Sequence, residues 1–293
     1  MIRNVPRVLI EAGRGGGKTA VALARFSLCV GMGFGPRWVG ILFRRRANEL
    51  RNDLLPKARE FFSAAYGRGV RFYESASDYF FEWPTGERLM LRHCYDERGY
   101  DPFHGGEFLF QFWDELAAWP DPLTLLEAFR GTQRAPIKAL QPYVIQLCAT
   151  NPYGPGAAAI KRHFVRDPSL PMEIVEPDPA IRGDTRRARI HCPLEENRAL
   201  LDAQPNYVAD TIEPLANEAK RRAWVGGLDR WDQSVGGYFS EVWQESVHVL
   251  HGTPRFDGTG WRFRRSFDWG FTAPLALLFG AIATRDQVLT VEQ

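Results

Sequence analysis

The sequence predicts a mixed α/β fold, a mainly parallel sheet flanked by helices, and three observations carry that expectation. Short apolar runs alternate with helical stretches through the first half of the chain, the pattern of strands joined by crossover helices. Two later runs, residues 108–113 and 143–149, are apolar enough to be central strands covered on both faces. A glycine-rich segment, Ala12-Gly13-Arg14-Gly15-Gly16-Gly17-Lys18-Thr19, joins the first apolar run to the first helical stretch.

Taken in order, residues 7–11 read as a strand, 19–32 as a helix, 38–43 as a strand and 47–66 as a helix. Residues 70–92 read as a strand pair, with Trp83-Pro84-Thr85-Gly86 as the turn between 79–82 and 88–91. Pro168, Pro171, Pro177 and Pro179 mark residues 167–185 as an extended crossing segment. Residues 206–225 are rich in Ala, Glu, Lys and Arg, a polar helical region that Gly226 and Gly227 would stop. Glycines, Pro254 and Asp257 in residues 252–260 suggest a boundary before a new strand, 262–268. The expected division is 1–190 as a core, 191–250 as a lid or linker subdomain, and 251–293 as a hinge with the start of a further domain.

Composition sets the outer limits. A chain of 293 residues with 45% hydrophobic, 25% charged and 13% aromatic residues is that of a folded globular protein, which excludes disorder. The four cysteines, Cys29, Cys94, Cys148 and Cys192, form no CxxC pair and no zinc spacing. A reducing cytoplasm suits them, and no apolar run approaches the ~20 residues of a membrane span. A net charge of +2 does not by itself point to nucleic acid. Two basic runs, Arg44-Arg45-Arg46 and Arg186-Arg187 with Arg189, are expected to be solvated surface, with phosphate contact as the alternative.

The glycine-rich segment satisfies the phosphate-loop pattern if Ala12 replaces its first glycine. Glycines let backbone N–H groups turn inward around a phosphate, and the following helix presents its positive end. Lys18 is expected to add a charge against the β- and γ-phosphates of ATP, and Thr19 to hold Mg2+ through its hydroxyl. Arg14 is a further cation for the γ-phosphate, or a solvent-facing loop arginine. The run ending in Asp114-Glu115 supplies the second element of a nucleotide hydrolase: Asp114 for magnesium through the Thr19 shell, Glu115 to orient and polarise the attacking water. Thr150-Asn151-Pro152 ends the next apolar run. It is either a polar tip that senses the γ-phosphate and couples hydrolysis to motion, or an ordinary Asn-Pro turn.

Together these motifs resemble the large terminase subunits of tailed double-stranded DNA phages. The Arg44-Arg45-Arg46 strand end followed by Asn48-Glu49-Leu50, the Trp83-Pro84-Thr85-Gly86 hairpin, and His104-Gly105 before the Asp114-Glu115 strand stand in that family's order. So do Thr150-Asn151-Pro152-Tyr153-Gly154-Pro155-Gly156 and the Lys161-Arg162-His163-Phe164 that follow. Ala223-Trp224-Val225-Gly226-Gly227 and Gly237-Tyr238-Phe239 are similar to its lid, and Arg265-Ser266-Phe267-Asp268-Trp269-Gly270 to the first strand of its nuclease domain.

The resemblance implies a P-loop NTPase core of the ASCE, RecA-like kind, a small helical lid and the first strand of a truncated RNase H-like domain. It also implies an ATP-hydrolysing motor that translocates double-stranded DNA into a procapsid. Its partners would be the portal protein and a small terminase subunit, and it would act as a homo-oligomeric ring in the host cytoplasm, transiently at the portal. Asp268 matches the first nuclease acid, one of a set that must hold two metal ions. With a start this close to its first strand and a stop at Gln293, the resemblance implies that the upstream segment contacting adenine in the family and the other nuclease acids are not expected in this chain. This polypeptide is therefore expected not to cut DNA by itself. Arg130 and Arg134 are alternative arginine fingers toward a neighbour's nucleotide, with surface or DNA contacts explaining them as well. Two other readings stand beside the motor: a catalytically weak remnant that binds portal or partner subunits, and a helicase-like P-loop ATPase.

Overall fold

The computed structural model describes residues 5–75, 78–180, 183–215, 217–227, 230–231, 261–268, 276–283 and 289–292. They fall into two compact units, Met1–Ser240 and Glu241–Gln293.

The first unit is built on a nine-stranded sheet of β1 (Arg7–Ala12), β2 (Val39–Arg44), β3 (Arg71–Glu74), β4 (Tyr79–Glu82), β5 (Arg88–His93), β6 (Phe110–Trp113), β7 (Ile145–Thr150), β8 (Met172–Val175) and β9 (Arg187–Cys192), in the order β3-β4-β5-β2-β6-β7-β1-β9-β8. The six inner strands, β5 to β9 in that order, run parallel, and antiparallel strands close both edges. Parallel pairing requires crossovers, so every loop leaving an inner strand's carboxyl end opens on the same rim of the sheet. Ala12, Arg44, Asp114 and Thr150 meet on that rim, each at or just past the end of its strand.

Helices lie between and after these strands. They are α1 (Lys18–Ser27), α2 (Ala47–Glu49), α3 (Leu55–Phe61), α4 (Ser63–Tyr66), α5 (Pro122–Ala128), α6 (Ala157–Phe164), α7 (Arg198–Ala203), α8 (Tyr207–Thr211) and α9 (Glu218–Val225). A π-helical turn, Leu50–Leu54, joins α2 to α3. Pro56, in the first turn of α3, brings no N–H to a regular helical ladder there, which accommodates the wider turn. That turn carries Asp53 toward the carboxyl end of β2.

On one face Phe26 of α1 packs against Trp38, Trp83 and Phe110; on the other Phe43 stacks on Trp113 at 4.3 Å, with Phe129 against both. Polar side chains inside the sheet are paired: Arg7 donates to Gln146, Gln146 to Gln111, and Gln111 to Thr132 and the Phe129 carbonyl. This chain of amides locks β1, β7 and β6 in register.

Several expectations change. The two basic runs are not simply solvated surface: Arg44, Arg187 and Arg189 are buried and ion-paired, because strand alternation turns them into the interior, where carboxylates wait. The proline-rich crossing segment contains β8, an edge strand pairing antiparallel with β9. Residues 70–92 hold three strands, with the expected turn between the second and third. The polar helical region is α8 and α9, and Gly226 ends α9 in a left-handed cap at φ 92°.

The second unit is described as three antiparallel strands, β10 (Trp261–Asp268), β11 (Ala276–Ala283) and β12 (Leu289–Glu292), ordered β10-β11-β12. Asp268 ends β10 opposite Ala276. Its side chain, the residue 252–260 boundary, Gly237-Tyr238-Phe239 and Trp269-Gly270 lie outside what is described. No described helix is long and apolar enough to cross a membrane.

Candidate functional site

The loop between β1 and α1 closes one end of a cleft of about 860 Å³ on the carboxyl rim of the sheet. Gly15 and Gly17 have φ of 83° and 73°, backbone that a side chain would strain, and Gly17 hands the chain to α1 at Lys18. Gly13 is required for a different reason: a Cβ there would lie 2.1 Å from the Trp224 carbonyl oxygen.

Lys18 is buried, and its Nζ donates to Asn151 Oδ1 at 2.6 Å and to the Gly13 carbonyl at 3.1 Å. The same Asn151 amide donates through Nδ2 to both Glu115 carboxylate oxygens, at 3.1 and 3.3 Å. One side chain from the end of β7 therefore bridges the loop lysine and the acid after β6. Thr150 supports it: its hydroxyl donates to the Asn151 carbonyl at 2.7 Å and accepts from the Ala117 N–H at 3.2 Å. Glu115 stands at φ 56°, the one non-glycine residue in the left-handed region among those described. The turn aims its carboxylate along the cleft, which it lines together with Lys18, Thr19 and Asn151.

Asp114 is 1% exposed and lies under Thr19, whose hydroxyl donates to Oδ2 at 3.4 Å. Burial raises its carboxyl above the ordinary aspartate value, against the lowering charge of Arg44, and the neighbouring Glu115 adds to the rise. A hydroxyl and a carboxylate oxygen side by side are hard donors of the kind magnesium takes, and magnesium keeps waters and phosphate oxygens for its remaining positions. The pair fits such an ion, although no group of three or more His, Cys, Asp or Glu side chains gathers around a metal site among the described residues.

Residues 197–207 and 224–226 reach the tip of the loop. Asn197 donates to the Gly15 carbonyl, Leu200 and Tyr207 press on Gly15, and the Trp224 carbonyl accepts from the Arg14 N–H at 3.0 Å. The Arg14 guanidinium lies 4.5 Å from the centre of the Trp224 ring, and Lys220 Nζ is 4.6 Å from the same ring. Arg14 is thus on the cleft wall, stacked on an aromatic ring.

Ala12, Gly13, Arg14, Gly15, Gly16, Gly17, Lys18, Thr19, Asp114, Glu115, Thr150 and Asn151 converge on this one rim. Arg130 and Arg134 do not line the cleft: Arg130 donates to the Gly183 carbonyl and Arg134 to the Gly105 carbonyl, both exposed. Sequence reading missed Arg44, which binds Asp114, and Asn197, Leu200 and Tyr207, which hold the loop tip. Arg44 had a usable signal, since it closes a buried strand whose preceding residues, Val39–Phe43, carry no polar side chain. The other three had none, because their contact with the loop spans more than 180 residues.

No protein-family model matches the chain, and no curated protein matches it in sequence. Among solved structures, the large terminase from a thermophilic bacteriophage shares the fold with a TM-score of 0.51 at 13% identity, over 97% of this chain and 61% of that one. The same terminase in complex with ADP gives the same TM-score at 14% identity and the same coverage. The HK97 bacteriophage large terminase is matched over 98% of this chain and 58% of its own at 13% identity, with a TM-score of 0.40. The likeness to the thermophilic phage's terminase is one of fold, a mixed α/β architecture with a mostly parallel sheet flanked by helices. The chain spans about 61% of the length of the thermophilic phage's terminase.

Proposed function

We propose that this chain is the ATPase part of a large-terminase-type motor that drives double-stranded DNA into a viral procapsid. The observation that carries the proposal is the Asn151 bridge, which ties Lys18 to Glu115 across the cleft. An Asn amide so placed meets a γ-phosphate as it enters between lysine and glutamate, and it loses that partner after cleavage.

In this reading the loop N–H groups and Lys18 hold the phosphates of ATP, with Lys18 exchanging Asn151 for phosphate oxygens. Glu115 orients and polarises a water in line with the γ-phosphorus; the water oxygen bonds to phosphorus, its proton passing to the Glu115 carboxylate and from there to solvent, while the bond to the β–γ bridging oxygen breaks and that oxygen leaves on ADP, giving ADP and phosphate. Thr19 and Asp114 would hold a magnesium ion, which would offset negative charge on the phosphate oxygens. Arg14, released from the Trp224 ring, adds charge stabilisation at the γ-phosphate. Thr150 passes the change at Asn151 to Ala117, and the residue 197–226 segment feels it directly through the loop.

The fold shared with the thermophilic phage's terminase supports the motor over a general nucleotide hydrolase. Double-stranded DNA, a portal protein and a small terminase subunit are the partners of this reading, with a ring of copies in the host cytoplasm. Arg130 or Arg134 would serve a neighbour's nucleotide, and Asp268 would mark the nuclease domain's first acid. The residue 191–250 segment would act as the lid.

The test is ATP turnover of this chain with and without double-stranded DNA and portal protein. Lys18→Ala and Glu115→Gln are both expected to lose at least a hundredfold in turnover, on the order of one catalytic group's contribution, while Glu115→Gln still binds ATP in calorimetry. Unchanged turnover in both variants overturns the reading, and absence of nucleotide binding by the unaltered chain favours the partner-binding remnant.

A further inference from the structure

Arg44 ends β2 with its side chain turned into the cleft floor, only 8% exposed. Its Nη2 lies 3.0 Å from Asp114 Oδ2, the same oxygen that accepts from the Thr19 hydroxyl. The same nitrogen also pairs with Asp53 on the π-helical turn, and Asp53 is held from its other side by Lys57 at 2.5 Å. Arg44 Nε is buried without a hydrogen-bond partner, so the guanidinium is committed through one end alone. Arg44, Asp53 and Lys57 all line the cleft.

A carboxylate as buried as Asp114 needs a counter-charge, and Arg44 supplies it. The oxygen Arg44 occupies is the one beside Thr19 where a divalent cation would bind. Two cations on one carboxylate oxygen repel strongly in a poorly solvated floor, so they exclude each other. Asp53, half-exposed on the adjacent turn, offers Arg44 a second acceptor when Asp114 is taken.

We infer that Arg44 is a positioning residue that stands in for the divalent cation: it holds Asp114 against Thr19 while the metal is away, competes with the metal for Oδ2, and withdraws onto Asp53 when metal and nucleotide arrive. This deepens the nucleotide-hydrolase reading and rests on it. Arg44 acts through Asp114 and does not touch the reacting atoms, so its signature is the dependence of nucleotide binding on metal.

Calorimetry of ADP binding to the full chain, once with magnesium and once with a chelator, gives two dissociation constants whose ratio measures the metal's coupling to nucleotide. Manganese binding followed by electron paramagnetic resonance reads the metal directly. A neighbouring charge moves a carboxylate's binding equilibrium by about one to three decades. Arg44→Gln is therefore expected to increase the ratio by about tenfold and to tighten manganese binding similarly, while Arg44→Lys, which keeps the charge, stays near the unaltered chain. Asp53→Asn removes the place of withdrawal and is expected to move the ratio the opposite way. If Arg44→Gln unfolds, as thermal melting would show, Arg44→Lys and Asp53→Asn still decide: a ratio unmoved in Asp53→Asn overturns the inference. So does a ratio unchanged or lowered in folded Arg44→Gln. Failure of the unaltered chain to bind ADP would instead overturn the nucleotide reading itself, so the two failures are distinct.

Discussion

Glu115 shows how one residue carries both strain and chemistry. Its left-handed backbone costs about 1–2 kcal/mol for a side chain with a Cβ, and the return is a carboxylate held on Asn151 in the cleft. Replacement by Gly and by Ala removes the same hydrogen bonds, so the difference between the two variants isolates the backbone. At an ordinary site Ala is the more stable of the two by about 0.4–1 kcal/mol through the unfolded chain; here Glu115→Gly is expected to be the more stable by about 0.5–1 kcal/mol. Urea unfolding of both variants checks it, and the usual order, Ala above Gly, would remove strain from the account of this turn. The residues of this site were legible where chemistry imposes a local pattern: glycines before Lys18-Thr19, and acids at the end of an apolar strand. The Asn151 bridge was legible only as a polar strand tip, because its two partners stand 133 and 36 residues away and only the strand order brings them together.

At the scale of elements, α6 illustrates a pairing that depends on protonation. His163, near its carboxyl end, lies 3.4 Å from Arg7, and its backbone carbonyl accepts from Arg187. Burial, then the charges of Arg187 and Arg7, lower its pKa from 6.5 to about 4, so the ring is neutral at pH 7. An unfolded chain takes up this proton near 6.5 and the folded one near 4. Between those values the unfolded state binds more protons, so the contribution is complete above 6.5 and falls away as pH drops toward 4. Urea midpoints from pH 7.5 to 4.5 are expected to decline less steeply in His163→Asn than in the unaltered chain; an equal slope would show that His163 does not carry this part of the acid sensitivity. Among elements, the inner strands were readable because burial on both faces demands mainly apolar runs, as in Val8-Leu9-Ile10 of β1 and Phe110, Phe112 and Trp113 of β6; their buried polar members, Glu11 and Gln111, are paired inside. The edge strand β8 was not, since Met172 and Ile174 are exposed, prolines surround it, and only pairing with β9 makes it a strand. The long helical stretch after β2 was readable as helix, but not its π turn, whose use is to deliver Asp53 to Arg44.

Across the first unit as a whole, a buried ion cluster binds the strand that feeds the glycine-rich loop to segments far along the chain. Glu11, on β1 one residue before Ala12, is fully buried between Thr150 of β7 and His191 of β9. It pairs with Arg189 at 3.2 Å and with Arg230, which follows α9, and both arginines are as buried as the acid. Arg189 also donates to the Asp167 and Leu170 carbonyls and Arg230 to those of Pro168 and Gly227, so the crossing segment, β9 and the end of the loop-capping segment share one cluster. Burial would raise the Glu11 carboxyl, but the contact with His191 and the hydrogen bond and charge of Arg230 outweigh it and hold it below the ordinary 4.5. Its contribution is therefore present above 4.5 and is lost as pH falls through the lowered value. Removing one partner of a buried pair leaves an uncompensated charge, so Arg230→Met is expected to cost about 3–5 kcal/mol. Glu11→Gln with Arg230→Met in the same chain is expected to cost less than the two single changes added together, since the pair they share is lost only once. The loss should also have a location. Gly226 caps α9 close to the Gly13 nitrogen, and the adjoining Gly227 accepts from Arg230, so hydrogen exchange in Arg230→Met should rise at residues 13–15 and 218–227 before it rises in the inner strands. Exchange that rises uniformly across the sheet would mean that the cluster supports the fold as a whole and does not hold this segment on the loop.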